Sequence, residues 1–181
     1  MFGKQIKTLE DFLKEREKEA LTVEQIEKLC DGKFPVILYD DLVKYSNIQE
    51  VCGKNGCVLF LPVTSALNGH YVSMFMRGNT LYYTDSYGFD VRTDISKASY
   101  ILRQKEQTFL SRLLIKFMDK GGNLEMNPYG YQKLSQNSST CGRYAVIRLY
   151  FQSMDHEQFH KFLQFGHCTP DELVTIMTWK E

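Results

Sequence analysis

No excess of either charge marks this chain: 22 lysines and arginines stand against 22 aspartates and glutamates in 181 residues. A dedicated nucleic-acid binder usually carries a clear basic excess, so that class is disfavoured, and a zero sum leaves room only for a local basic patch. No apolar run approaches membrane length. The longest, CVLFLPV, falls far short of the roughly 20 residues that a helix needs to cross a bilayer. The opening MFGKQIKTLEDF has no apolar core for a secretory signal, so a soluble product of a cytosol is expected. No CxxC pair occurs, and the five cysteines are an odd number, which argues against a disulfide framework and a zinc ribbon. Linkers, low-complexity tracts and repeats are also lacking, so one compact unit is expected. What is present is 43% hydrophobic and 13% aromatic residues. That is enough to bury a core without metal or disulfide help, and it excludes global disorder.

The first thirty residues read as two helices. Thr8 caps the first, with Leu9, Phe12 and Leu13 apolar, and Thr22 with Gln25 forms a capping-box pattern for the second. The charged run KEREKE reads as a solvated helix face. The period then changes. FPVILY and CVLFL are short β-type runs, and YVSMFMRG and TLYYTDSYG, joined by Gly78-Asn79, predict an antiparallel hairpin. From Lys105 the pattern is helical again, with Phe109, Leu110, Leu113, Leu114, Phe117 and Met118 on one stripe and Gly121-Gly122 as the stop. Asn123 to Met126 suits a strand. After the polar loop QKLSQNSST comes CGRYAVIRLYFQSM, apolar nearly all round, hence a helix buried on most sides. Thr169-Pro170-Asp171-Glu172 opens a last helix. Strands in the middle with helices on both sides predict an α+β domain.

Cys141 stands apart from Cys30, Cys52, Cys57 and Cys168, for which the ordinary expectation is a reduced, buried, small apolar residue. It follows Ser138-Ser139-Thr140, all good cap residues, and opens the buried helix, where the positive end of the dipole favours a thiolate. Gly142 has no Cβ to block an approaching substrate, and its amide or that of Cys141 suits an oxyanion. A thiol needs a base. His70 begins a strand in NGHYV, and Asp85 ends the neighbouring hairpin strand in YTDSYG. A hairpin centred on Gly78-Asn79 sets positions 70 and 85 near opposite each other, so the carboxylate could orient the imidazole. Taken singly, such a histidine is usually a polar surface residue and such an aspartate a turn residue. Their order along the chain, together with the cysteine, makes chance a poor account.

GHYV, YTDSYG and STCGRYAVIR, in that order, resemble the adenovirus-type (adenain-like) cysteine endopeptidases, related to the proteases of ubiquitin-like modifiers. The nearest branch is that of virophages, Polinton-type elements and giant DNA viruses, which FPVILYDDL and GCVLFLPV also resemble; the likeness spans about residues 34 to 178. It implies a single protease domain over 1–181, with a helical arm at 1–33 and a catalytic core at 34–181. The implied fold is papain-related: a central mixed sheet flanked by helices, with the nucleophile at the start of a buried helix. By resemblance Cys141 is the nucleophile, His70 the general base and Asp85 its orienting partner. A glutamine upstream of the cysteine serves the oxyanion in such proteins, and Gln132 and Gln136 are both placed for it. Gln132 is favoured because it ends a strand-like GYQ, whereas Gln136 lies inside the polar loop. Tyr71 stands where many relatives have Trp, and Tyr71 and Tyr87 suit the walls of a narrow, glycine-preferring cleft.

His156-Glu157-Gln158-Phe159-His160 is a literal HExxH, which on a helix places two imidazoles one turn apart. A catalytic zinc needs a third ligand. His167 follows at an unsuitable spacing, and Glu172 or Glu181 is no more persuasive, so an ordinary surface helix with Phe159, Phe162 and Leu163 inward is expected, and no metal. The resemblance implies cleavage of viral structural precursors, above all a capsid protein, by a monomer acting in the host cytoplasm at the assembly site and in the virion. No cofactor is required by the sequence, and the need for a peptide or DNA activator is left open. Two other classes fit parts of the pattern. A protease of ubiquitin-like tags would use the same site, and a capsid-binding module that does not cut would have no need of His70, Asp85 and Cys141 together.

Overall fold

The computed structural model describes residues 8–65, 68–93, 109–133 and 138–179. Helix α1 (Leu9–Glu17) is capped by Thr8, and α2 (Val23–Cys30) by Thr22 and Gln25 in a reciprocal capping box. Strand β1 (Val36–Leu38) runs into a short 3₁₀ segment (Tyr39–Lys44) and α3 (Ile48–Cys52). Then come β2 (Cys57–Ser65), β3 (Asn68–Arg77) and β4 (Thr80–Thr84). Helix α4 (Phe109–Asp119), β5 (Asn123–Met126), α5 (Cys141–Tyr150), α6 (His156–Leu163) and α7 (Pro170–Met177) complete the order. Lys105, where the helical pattern begins in the sequence, lies outside the described residues.

The strands form one mixed five-stranded sheet in the order β1-β2-β3-β4-β5. The outer pairs β1–β2 and β4–β5 are parallel, and the two inner pairs are antiparallel. Alternation along the strands sorts the core into two layers. Leu59, Leu61, Val72, Met74, Leu81 and Tyr83 face α3 and α4, whereas Val58, Phe60, Tyr71, Phe75 and Tyr82 face α2 and α5. The sheet is thus sandwiched, as an α+β domain requires.

Helix α5 is apolar all round because it has neighbours on both sides. Ala145, Val146 and Leu149 pack on the sheet, while Tyr144 and Ile147 meet Phe159, Leu163 and Val174 from α6 and α7. Its one internal charge near the far end, Arg148, is fully buried. The guanidinium donates to the Phe151 and Met154 carbonyls at 2.8 and 2.9 Å and lies over the Phe75 and Phe159 rings. It thereby ties the turn that follows the helix back to the helix itself. Helix α1 meets the segment after α7: Phe12 packs edge-on against Trp179 at 4.8 Å, and Arg16 lies 4.4 Å over the same indole.

Two elements differ from the sequence reading. The stripe on α4 buries Leu110, Leu113, Leu114 and Phe117, but Met118 falls past its edge and is 44% exposed. FPVILY yields only three strand residues, because Tyr39 already begins the 3₁₀ turn. At the β2–β3 crossing Gly69 pairs with Pro62, so close that a Cβ would strike the Leu61 carbonyl oxygen and the Phe60 ring. Gly69→Ala should therefore cost about 2 kcal/mol, as overpacking against backbone does. Thermal melting should show this as a Tm lower by roughly 4–8 °C; an unchanged melt would mean the strands part freely there.

Candidate active site

His70 and Asp85 meet by a diagonal. The hairpin register pairs Ser73 with Thr84 and Arg77 with Thr80, which carried on would set Asp85 against Val72, and Tyr87 against His70. Positions 70 and 72 share a face, so the carboxylate reaches His70 from the cross-strand diagonal. Strand β4 ends at Thr84, and the chain then folds round the Asp85 side chain. Oδ1 accepts the Tyr87 and Phe89 amides, and Oδ2 bonds His70 Nε2 at 2.5 Å. Asp85 is wholly buried and His70 is 9% exposed. Tyr87 stacks on the imidazole with centroids 5.2 Å apart.

Cys141 lies beside the same imidazole, and the ionisation of each is tied to the other by charge and hydrogen bonding. Burial alone would lower the His70 pKa. The negative charge of Cys141 and the hydrogen bonds to Asp85 and Cys141 outweigh it and raise the pKa to about 10. For Cys141 burial pushes the other way, and the His70 charge with the backbone N–H groups of Tyr71 and Gly142 brings the thiol below its ordinary value. The pair thus favours thiolate and imidazolium. Tyr87 is pushed up to about 12, by burial first and then by the Cys141 charge, so it stays a neutral phenol.

Gln132 is buried, and its side chain is locked. Its Oε1 accepts the Ser86 hydroxyl at 2.8 Å, and its Nε2 donates to the Ser138 carbonyl and hydroxyl at 3.2 and 3.4 Å. The segment that holds it is not a strand. The Tyr131 and Gln132 amides both donate to one carbonyl, that of Ser86, at 2.7 and 2.9 Å, and this fork replaces the expected ladder. Gln136 lies outside the described residues.

Three local expectations are corrected. Thr140 occupies the cap position of α5 but makes no capping bond; its hydroxyl donates to Asp171 instead. A lost cap of this kind costs about 1 kcal/mol, which the buried carboxylate bond offsets. Gly142 has its Cβ space taken by Ile26, whose Cδ1 would lie 2.5 Å away, so its smallness serves the packing of α2 on α5. Tyr71 is 6% exposed, with its ring on Phe60 and its hydroxyl on the Leu21 carbonyl, so it joins the arm to the sheet and does not face a cleft. Tyr87 is half-buried and keeps an open edge.

The HExxH residues point apart. His156 is buried against Tyr82, and burial with the nearby Arg148 charge lowers it to about 4. Glu157 pairs with Lys161 on the exposed face, and His160 stacks on Tyr129 at 4.0 Å. Among the described residues no three His, Cys, Asp or Glu side chains are grouped to hold a metal ion. Cys30, Cys52 and Cys57 are buried as expected, but Cys168 is exposed. Cys57 is pushed well up, by its hydrogen bond with Cys52 and then by burial.

Sequence reasoning missed Asn127. Buried beside β5, it accepts the Asp85 amide at 2.9 Å and donates to the Asp85 and Tyr129 carbonyls at 2.8 and 2.7 Å. An asparagine after a strand gives no signal that its partner lies 42 residues earlier.

No protein-family model matches the chain. It is 32% identical over 174 residues to the uncharacterized protein V9 of Sputnik virophage, across 92% of this chain and 98% of that protein. The chain belongs to the V9 family. Among solved structures, the ASFV pS273R protease aligns with the fold of this V9-family chain at a TM-score of 0.45 and 15% identity, over 90% of this chain and 68% of that one. No helix among the described residues is long and apolar enough to cross a membrane.

Two outcomes follow from this geometry. At pH 6 Cys141 should be alkylated at least about tenfold faster than exposed Cys168, an advantage lost in His70→Ala. Residue-resolved mass spectrometry reads both, and a Cys141 that stays inert until about pH 8.5 would show no supported thiolate. Asn127→Ala should cost about 2–4 kcal/mol in denaturant unfolding, because it leaves the Asp85 amide and carbonyl buried without their partner.

Proposed function

We propose that this V9-family protein is a cysteine endopeptidase of the adenovirus type that its motifs resemble. One observation carries the reading: a buried imidazole held between a buried carboxylate and a thiol at the start of a buried helix. A structural ion pair has no use for the thiol, and a structural cysteine has no use for an imidazolium. In this mechanism the Cys141 thiolate attacks a peptide carbonyl carbon. The oxyanion is met by the Cys141 amide and Gln132 Nε2. His70 gives its proton to the leaving amine as the C–N bond breaks, which leaves a thioester on Cys141. It then takes a proton from water, whose oxygen attacks the thioester and releases the acid. Asp85 holds the imidazole in place beside the sulfur throughout.

The substrate we propose is a viral structural precursor, foremost a capsid protein, cut beside small residues such as glycine during assembly in the host cytoplasm or in the particle. The virophage origin of its V9 relative supports that setting. Tyr87, stacked on His70 with an open edge, is the residue placed to narrow the approach and favour glycine.

The test is cleavage by purified protein of co-expressed virophage capsid proteins, beside a ubiquitin-type protein extended past its Gly-Gly tail. Cys141→Ala and His70→Ala should each lower kcat by at least about 10³-fold, and Gln132→Ala by roughly 10²–10³-fold. A Cys141→Ala protein that supports particle assembly as well as wild type would overturn the reading. Preferential cutting of the ubiquitin-type tail would redirect it to tag removal.

A further inference from the structure

We propose that Asp171, on the last helix, is a positioning residue that sets the oxyanion side of the site; this rests on the endopeptidase reading above. Asp171 is 1% exposed although it is a carboxylate. All of its hydrogen bonds to the site segment come from neutral donors. Oδ1 accepts the Thr140 hydroxyl at 2.5 Å and the Ser138 hydroxyl at 3.3 Å, and Oδ2 accepts the Lys133 amide at 3.2 Å. A buried carboxylate that needed only stability would be better paired with a cation. Here it holds Lys133, Ser138 and Thr140, which stand between Gln132 and Cys141 in the sequence.

Its hold reaches the proposed oxyanion donors in two ways. The Ser138 hydroxyl donates to Asp171, so its lone pairs face the Gln132 amide, whose Nε2 lies 3.4 Å away and 3.2 Å from the Ser138 carbonyl. With Oε1 fixed by Ser86, the glutamine is held at both ends. The second way runs through Thr140. At the cap position a threonine hydroxyl ordinarily accepts an amide of the first helical turn. Asp171 takes this hydroxyl as a donor, the backbone at Thr140 sits at φ −93 and ψ 2 instead of the extended cap conformation, and no side chain caps α5. The Gly142 amide turns to the sulfur, and the Cys141 amide therefore stays available to a developing oxyanion. One carboxylate orients the side-chain donor and keeps the backbone donor at Cys141 uncapped. The triad residues His70 and Asp85 make none of these contacts, so the two halves of the site can be separated by experiment.

The experiment compares wild type, Asp171→Asn, Thr140→Val and Thr140→Ser, with folding checked by circular dichroism. Three readouts are taken: kcat and KM on a cleaved precursor, the pH profile of Cys141 alkylation by iodoacetamide, and capture of a short peptide aldehyde ending in glycinal. The aldehyde adds to the thiol as a hemithioacetal whose oxygen needs the oxyanion donors. Asp171→Asn and Thr140→Val should lower kcat and weaken aldehyde capture by roughly 10- to 100-fold, with KM within about twofold and the alkylation profile unmoved. Thr140→Ser, which keeps the donor, should behave as wild type. If Asp171→Asn does not fold, Thr140→Val against Thr140→Ser carries the same test. Wild-type capture of aldehyde with equal capture by Asp171→Asn and Thr140→Val overturns this role alone. So does an alkylation profile that shifts along with kcat, which would make Asp171 a general structural residue. A wild type that captures no aldehyde and shows no low-pH reactivity overturns the endopeptidase reading and this role with it.

Discussion

The site depends on one imidazole that is asked to carry charge where water is scarce. Burial works against a protonated His70, and the negative charges of Asp85 and Cys141 beside it reverse that preference. The thiolate in turn depends on the imidazolium, because burial of sulfur favours the neutral thiol. Neither charge is stable there alone. Whatever fixes the distance between β3 and the start of α5 therefore fixes the ionisation state, and most of the surrounding structure bears on that distance.

Helix α5 owes its position to being wedged. The sheet presses on Ala145, Val146 and Leu149, the later helices press on Tyr144 and Ile147, and Ile26 from the arm fills the notch at Gly142. The dipole is also settled at both ends. Arg148 meets carbonyls beyond the helix's last turn, and the thiol sits at its first. Asn127 does for Asp85 what the wedge does for Cys141, gripping backbone on both sides of one residue.

Local chemistry was legible in the sequence. Thr8, Thr22 with Gln25, and the Gly78-Asn79 turn each act within a few residues, and each element stands where these signals set it. The meeting of His70 with Asp85 was legible because a hairpin turns separation along the chain into proximity, although the pair proved diagonal. The rest depends on partners far away in sequence. Gly142 looks like an opening for substrate until Ile26 is seen to fill it. Thr140 looks like a cap until Asp171, 31 residues later, takes its hydroxyl. Tyr71 looks like a cleft wall until the Leu21 carbonyl, 50 residues earlier, holds it in the core. HExxH fails for the opposite reason: its spacing is local and correct, but α6 turns its first histidine inward and its glutamate outward.

The closure of the first helix on the last has a consequence for the order of events in the life of the chain. Phe12 and Arg16 wait for Trp179, and the Ser139 amide waits for the Glu17 carbonyl. These contacts join α1 to residues made far later in the chain, so a polypeptide emerging from the ribosome only as far as α4 has half of each and the whole of neither. Such non-local closure is slow and comes late. The start of α5 therefore gains its tie to α1, through the Ser139 amide, long after His70 and Asp85 have been made.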